Sequence, residues 1–451
     1  MADALMIKII PHSKQSPKYL LMATDLADQL GFRQDQNILL HVGLKGISMK
    51  VLVKTHPFPN RKLSLHPQLI KNLGLEKERD YSLKISDGSI YIGPLIGIMT
   101  NKQDDLGHPF GKQNFFISQL IEQAREMGAI CFGFYYQDVN LKRARVNGYT
   151  YVNNTWKKVS YGLPDVIYPR ESKNPVKQIE IRKGLSRAGC KFINPPWLGK
   201  WQTYKLMLKN DTLHKYLPET QLVKSFNQVE TMLKKYHVVY MKPVTGSQGH
   251  RIIRIVKSNR SSPYHYQYQL NNQLVRGTAH RLTELERSLK RIAKGQSFIV
   301  QQRINLLKHQ GRIADMRIMI QKNGQGQWSI SGKAFRIGKV GSITSNISGG
   351  GSGCQIYKLL NKHFSSHDTE KIVKEVDYLA FEVASTLDKH HGPIGELGID
   401  IGIDQEGRTW FIEANLKPAR RVFSLIGDNQ TRLVTIKKPI QYARYLAGFE
   451  K

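Results

Sequence analysis

Near the C-terminal end of the chain, Asp400 lies in the apolar run Gly395-Glu-Leu-Gly-Ile-Asp-Ile-Gly-Ile-Asp404. Glu413 and Asn415 lie in a second run, Arg408-Thr-Trp-Phe-Ile-Glu-Ala-Asn415, and Gln405-Glu406-Gly407 supplies turn residues between the two. This pattern reads as a β-hairpin that sets Asp400 opposite Glu413 and Asn415. Side chains two apart on a strand point the same way, so Glu413 and Asn415 share a face. Two carboxylates and an amide oxygen are hard ligands of the kind magnesium takes together with substrate phosphates. The same residues would also suit a charged hairpin facing water, and a short motif alone does not decide between the two.

Other residues upstream fit phosphate chemistry. Val238-Val-Tyr-Met-Lys242-Pro243 is an apolar strand ending in lysine, followed by a loop containing Gly246, Ser247 and Gly249. A strand-end lysine holds a phosphate as a point charge, and glycine lets backbone N–H groups approach phosphate oxygens. The spacing is not that of a Walker loop, which needs GxxxxGK[ST] before a helix. Next come a strand through Gln302, Arg303 and Ile304, then Asp315 and Arg317 on one face of a further strand. Another strand, over residues 327–335, ends at Arg336. A guanidinium matches two oxygens of an acyl phosphate at once, although each arginine taken singly suits a surface ion pair as well. His250 beside the glycine loop is placed to touch phosphate, but it also reads as a solvated loop histidine, the commoner case. No G-x-S-x-G elbow and no HExxH helix appears, which leaves serine hydrolase and zinc protease readings without support.

The elements that must position these groups divide the chain in three. Residues 1–93 read as a mostly β domain, with strands at 6–10, 38–42, 48–53, 81–85 and 89–92, a Ser86-Asp87-Gly88 hairpin turn and one helix over 19–30. Residues 94–196 alternate strand 95–99, a helix carrying Phe116, Leu120, Ala124 and Met127, strand 129–135, strand 166–168 and helix 175–188. That order implies a parallel pair in a small α/β domain closed by Pro195-Pro196. Residues 197–451 alternate helices and strands again, and the polar, tyrosine-rich stretch 258–272 reads as a surface loop or a ragged hairpin. The fold class is α/β with an α+β character.

Of 451 residues, 68 are Lys or Arg and 35 are Asp or Glu, a formal charge of +33 that exceeds what one nucleotide pocket needs. Such a field attracts acidic partners, although an evenly spread basic surface also serves solubility. No zinc-finger or RNP-like motif supports nucleic acid as the partner. Cys131, Cys190 and Cys354 form no CxxC pair, and no apolar run reaches membrane-spanning length. The first residues lack an export signal, so a cytoplasmic location is expected.

Taken in order, Lys242, the Gly-Ser-x-Gly loop, the Gln301-Gln302 hinge, Asp315-x-Arg317, Arg336, Ser345-Asn346 before Gly349-Gly350, and Asp400, Glu413 and Asn415 resemble the ATP-grasp series. Residues 197–451 are similar to the ribosomal-protein glutamate ligases and D-alanine:D-alanine ligases. Leu163-Pro-Asp-Val-Ile-Tyr-Pro-Arg170 and Asn194-Pro-Pro-Trp197 resemble the YheC/YheD endospore coat-associated family. The resemblance implies an ATP-grasp fold preceded by a small α/β pre-ATP-grasp domain, with ATP and Mg2+, or Mn2+ in its place, as cofactors. It implies a ligase joining a carboxylate to an amine on small-molecule or peptide substrates, or else a nucleotide-binding structural component of a spore coat.

The resemblance also assigns residues. Asp400, Glu413 and Asn415 match metal ligands, and Lys242 with Gly246, Ser247 and Gly249 match the phosphate grip. Lys205, ahead of Lys200, matches an earlier nucleotide-contacting lysine. Gln302, Arg303 and Ile304 match the hinge that holds adenine through its backbone. Arg317, Arg336 and Asn346 match contacts to acyl phosphate, γ-phosphate or acceptor. The sequence departs from the pattern at Gln302, where relatives carry an acid, at Gly398, where D-alanine ligases carry arginine, and at Lys417-Pro418-Ala419-Arg420 after the asparagine.

Overall fold

The structure, a computed structural model, describes residues 5–14, 16–55, 60–102, 107–171, 176–246, 251–257, 259, 261, 263–270, 273–347 and 350–450. The chain forms two compact units, one of residues 1–196, 322–327 and 436–451, the other of 197–321 and 328–435.

In the first unit, seven strands close into a barrel in the order Leu5–Pro11, Lys62–Leu65, Tyr19–Ala23, Lys45–Lys54, Asn37–Val42, Ser89–Gly93 and Asp80–Ser86. Alternate residues such as Ile7 and Ile9, Leu20 and Met22, and Ile38 and Leu40 fill its interior. The helix expected over 19–30 is a strand, Tyr19–Ala23, followed by a helix, Thr24–Leu30. Tyr19–Ala23 pairs in parallel with residues 50–54, and the burial of Leu20 and Met22 between strands overrides the local helical pattern. The Ser86-Asp87-Gly88 turn forms as read, with Asp87 at φ 50° and Gly88 at φ 67°, the left-handed pair a tight hairpin requires.

A separate sheet in the same unit runs Val139–Asn140, Arg145–Val152, Ile130–Tyr135, Leu95–Thr100, Val166–Pro169 and Lys191–Phe192. Leu95–Thr100 is parallel to both Ile130–Tyr135 and Val166–Pro169, as a strand–helix–strand order demands. The helix Asn114–Glu126 buries Ile117, Leu120, Ile121 and Ala124. Ile436, Ile440, Tyr442 and Ala443 pack into the same core. The last residues therefore belong with 1–196, not with the domain expected over 197–451.

The second unit contains two sheets. The first is antiparallel throughout: Thr220–Leu222, Phe298–Gln302, Val238–Pro243, Ile253–Val256, Tyr264–Leu270 and Gln273–Ala279. Helices Phe226–Tyr236 and Leu282–Ala293 set Val229, Met232, Leu233, Leu285 and Leu289 against its Val239, Met241 and Val300. The stretch left open as loop or hairpin holds the Tyr264–Leu270 strand, hairpin-paired to Gln273–Ala279. The second sheet runs Ser352–Cys354, Trp328–Ile337, Arg312–Lys322, Glu396–Ile403 and Thr409–Asn415. The 26-residue helix Ser366–His391 buries Ile372, Val376, Leu379, Val383 and Leu387 at helical spacing in the core shared with Ile318, Ile320, Ile399 and Ile401.

Candidate active site

The C-terminal hairpin forms in the register that matters. Asp400 pairs with Glu413, but a bulge follows, since Ile401 pairs with Phe411 and leaves Ile412 unmatched. Asn415 stands opposite Gly398 and not, as expected, opposite Asp400. Its amide nonetheless reaches both carboxylates, with Nδ2 at 3.1 Å from Glu413 Oε1 and 3.4 Å from Asp400 Oδ2. The turn is held by Asp404, whose Oδ1 accepts from the N–H groups of Glu406 and Arg408 and whose Oδ2 accepts from Trp410 Nε1.

Two arginines from the neighbouring strands bind these acids. Arg317 pairs in register with Asp400 and grips it through two bonds, Nε to Oδ1 at 2.6 Å and Nη2 to Oδ2 at 3.1 Å. Arg336 grips Asp315 in the same bidentate way, at 2.7 and 2.6 Å, and reaches Asp400 Oδ2 at 2.8 Å. Burial pushes the Asp400 carboxyl up, as do Asp315 and Glu413, while the two arginines oppose the shift. Burial acts the same way on Glu413, but Lys200, the Asn415 hydrogen bond, Arg336 and Lys242 outweigh it and hold Glu413 down at about 2. Burial lowers Lys242 to about 8 against the opposing pull of Glu413.

A cavity of about 530 Å³ opens onto this cluster. Its wall includes Lys242, Gly246, the hinge residues Gln302, Arg303 and Ile304, and Arg317, Arg336, Asn346, Asp400, Glu413 and Asn415. Ser247, Gly249 and His250 lie outside the described residues. Lys205 does not reach the cavity: it is an exposed residue of the Lys200–Met207 helix. Lys200, the first residue of that helix, lines the wall instead, with Nζ 3.3 Å from Glu413 Oε2 and 2.8 Å from the Gly246 carbonyl. The helix is entered later than the Pro195-Pro196 doublet suggests, so the lysine at its start, not the one five residues on, faces inward.

The hinge is narrower than expected. The N–H groups of Gln302 and Arg303 donate to Glu219 O and Val238 O, so neither N–H is left to meet a ligand in the cavity. The Gln302 amide oxygen accepts from the Glu219 N–H at 2.9 Å, which turns this side chain back into the sheet. The departure at Gly398 also has a physical reason. A Cβ there would stand 2.5 Å from Pro418 Cβ and 3.3 Å from Arg317 Nη1, so the missing side chain is what lets Arg317 cross to Asp400. Gly398→Ala is expected to lower stability by about 1–3 kcal/mol through overpacking, read as a lower melting temperature. An unchanged melting temperature would show that Pro418 gives way freely.

A family model described as YheC/D like ATP-grasp matches residues 189–446. The chain belongs to that family. Among curated relatives of this ATP-grasp family, it is 27% identical over 448 residues to the endospore coat-associated protein YheD of Bacillus subtilis (strain 168), covering 96% of this chain and 97% of that protein. The endospore coat-associated protein YheC of the same organism is 25% identical over 341 residues, covering 73% and 92%. Among solved structures, the D-cycloserine synthetase DcsG is 13% identical with a TM-score of 0.47, over 78% of this chain and 99% of that one. D-alanyl-alanine synthetase A from Vibrio cholerae O1 biovar eltor str. N16961 gives 11% and 0.46 over the same shares.

Several wall residues of this family member escaped the reading of the sequence. Gln301, which the sequence reading places only in the hinge, also carries a signal for this second role in the wall, since a polar residue inside the apolar run Phe298-Ile-Val-Gln is buried only where a partner meets it. Lys308, Lys339 and Arg421, all exposed residues of the wall, had none, because exposed lysines and arginines look alike in sequence.

Proposed function

We propose that the chain is an ATP- and magnesium-dependent ligase that joins a carboxylate to an amine through an acyl phosphate. One observation carries this reading: the Asp400, Glu413 and Asn415 hairpin and the two lysines Lys200 and Lys242 meet at one cavity. Among the described residues no three His, Cys, Asp or Glu side chains converge as a closed metal cage. Two carboxylates and one amide at an open cavity fit magnesium, which keeps phosphate oxygens in its shell. Asn415 would turn its amide over to offer Oδ1. Manganese suits the same oxygen donors.

Bound magnesium would neutralise phosphate charge. Lys242 and Lys200 would hold the phosphate chain, and the hinge at Arg303 and Ile304 would take the base. Arg317 and Arg336 would steady the transferred phosphoryl group, with Asn346 on the acceptor side. The substrate carboxylate attacks the γ-phosphorus and ADP departs. An amine then attacks the acyl carbon and phosphate leaves, giving the amide. Catalysis of this kind is positioning and charge stabilisation, with no protein nucleophile.

Exposed Lys308, Lys339 and Arg421 on the cavity wall, with the chain's overall charge, favour an acidic substrate. The names of the Bacillus subtilis relatives support a role among spore coat components during sporulation. The test is to incubate pure protein with ATP, magnesium and pooled amino acids or acidic peptides. ADP and a new amide are expected only when both carboxylate and amine are present. Thermal stabilisation by ATP without any turnover would instead support the second reading, a nucleotide-binding coat component that keeps the metal ligands but has lost the chemistry.

A further inference from the structure

Behind the proposed phosphate grip runs a chain of hydrogen bonds whose direction is fixed at both ends. Lys242 Nζ donates to Gln301 Oε1 at 2.6 Å, Gln301 Nε2 donates to Thr220 Oγ1 at 2.8 Å, and the Thr220 hydroxyl donates to the Pro218 carbonyl at 2.8 Å. An ammonium has no lone pair and a peptide carbonyl has no proton, so only one orientation satisfies every link. Turned over, the Gln301 amide would press its NH2 group on the ammonium. It would also offer its carbonyl to a hydroxyl whose proton is already given to Pro218.

The strands make this chain local. Thr220 stands directly opposite Gln301, and on the other side the strand carrying Lys242 pairs with the same Phe298–Gln302 strand. Gln301 is 5% exposed and Thr220 6%, so a misoriented amide regains little from bulk solvent. The Tyr204 phenol lies against the backbone and hydroxyl of Thr220, which is compatible, since a hydroxyl that donates once can still accept twice. Tyr204, Thr220, Lys242, Gln301, Glu413 and Asn415 line a second cavity of about 50 Å³, so the chain borders the proposed metal ligands.

We propose that Thr220 is a positioning residue: by holding the Gln301 amide one way round, it keeps a carbonyl oxygen on the Lys242 ammonium and aims that charge into the nucleotide cavity. This rests on the reading of Lys242 as a phosphate-binding group. The support is needed, because burial works against the charge of Lys242 and nearby Lys200 adds to the strain on it.

The experiment compares Thr220→Val, which keeps the shape and removes the hydroxyl, with Thr220→Ser, which keeps the hydroxyl. Binding of ATP with magnesium, and of adenosine, is measured by calorimetry on the full chain, alongside nucleotide-free melting temperatures. Thr220→Val is expected to bind ATP about tenfold more weakly, since a hydrogen bond to a charged group is misdirected. Thr220→Ser is expected to stay within about twofold of the parent chain on the same scale. Adenosine, which carries no phosphate, should bind both variants as it binds the parent. Unchanged ATP affinity in Thr220→Val overturns the inference, as does a serine variant as weak as the valine one, or an equal loss of adenosine binding. Failure of the unsubstituted chain to bind ATP would overturn the functional reading itself, and this inference with it.

Discussion

Replacing Glu413 by glutamine is expected to lower ADP formation by roughly two to three orders of magnitude and leave the fold in place. The side chain sits at the cavity wall with 24% of its surface exposed, near the end of a strand, so the loss of charge removes a proposed magnesium ligand without opening the core. It also leaves Lys200 without its carboxylate partner, 3.3 Å away in the parent chain. The variant has a second readout. Glu413 is held at about 2 in the folded chain against an ordinary value of 4.5. Its contribution to stability is therefore present above the ordinary carboxylate range and is lost as pH falls from about 4.5 through about 2. Glu413→Gln should lack that part of the acid unfolding curve. Turnover equal to the parent's would remove Glu413 from the metal site.

Arg336→Met should cost about 3–5 kcal/mol of stability, because Asp315 is left buried with neither of its guanidinium bonds. For a chain of 451 residues that corresponds to a fall of roughly 3–5 °C in melting temperature. Asp400 suffers less, since Arg317 still holds both its oxygens. Adding Asp315→Leu removes the orphaned charge and should restore most of the lost stability. ADP formation should stay low in the double variant, because Arg336 is proposed to act on the transferred phosphoryl group. Recovery of stability and turnover together would mean that Arg336 serves only the fold.

The hairpin carrying Asp400 and Glu413 was legible because both strands are apolar runs with a turn of polar residues and Gly407 between them. The bulge at Ile412 was not, since it is a choice of register made by packing on neighbouring strands. Lys200 was passed over for Lys205 because the first residue of a helix cannot be phased from an apolar pattern that starts after it. The barrel strand Tyr19–Ala23 was misread for a related reason: five apolar or aromatic residues in a row carry neither period, and only their pairing with residues 50–54 decides. The hairpin Arg145–Val152 and Thr155–Gly162 had a signal that went unused. Asn153 and Asn154, at φ 49° and 59°, are the residues that tolerate a left-handed turn. Thr220 and Gln301 sit more than eighty residues apart in sequence, and nothing short of the sheet order joins them.

The chain passes between its two units four times, at 196–197, 321–322, 327–328 and 435–436. The half that houses the cavity is thus not a removable cassette. A gene fragment starting at Trp197 would still encode Ile436, Ile440, Tyr442 and Ala443, whose partners Ile96, Ile117 and Leu120 would be missing. Its product would carry an orphaned greasy helix and tend to clump, whereas one proteolytic nick near Trp197 would leave Ile436, Ile440, Tyr442 and Ala443 still packed with residues of the N-terminal piece.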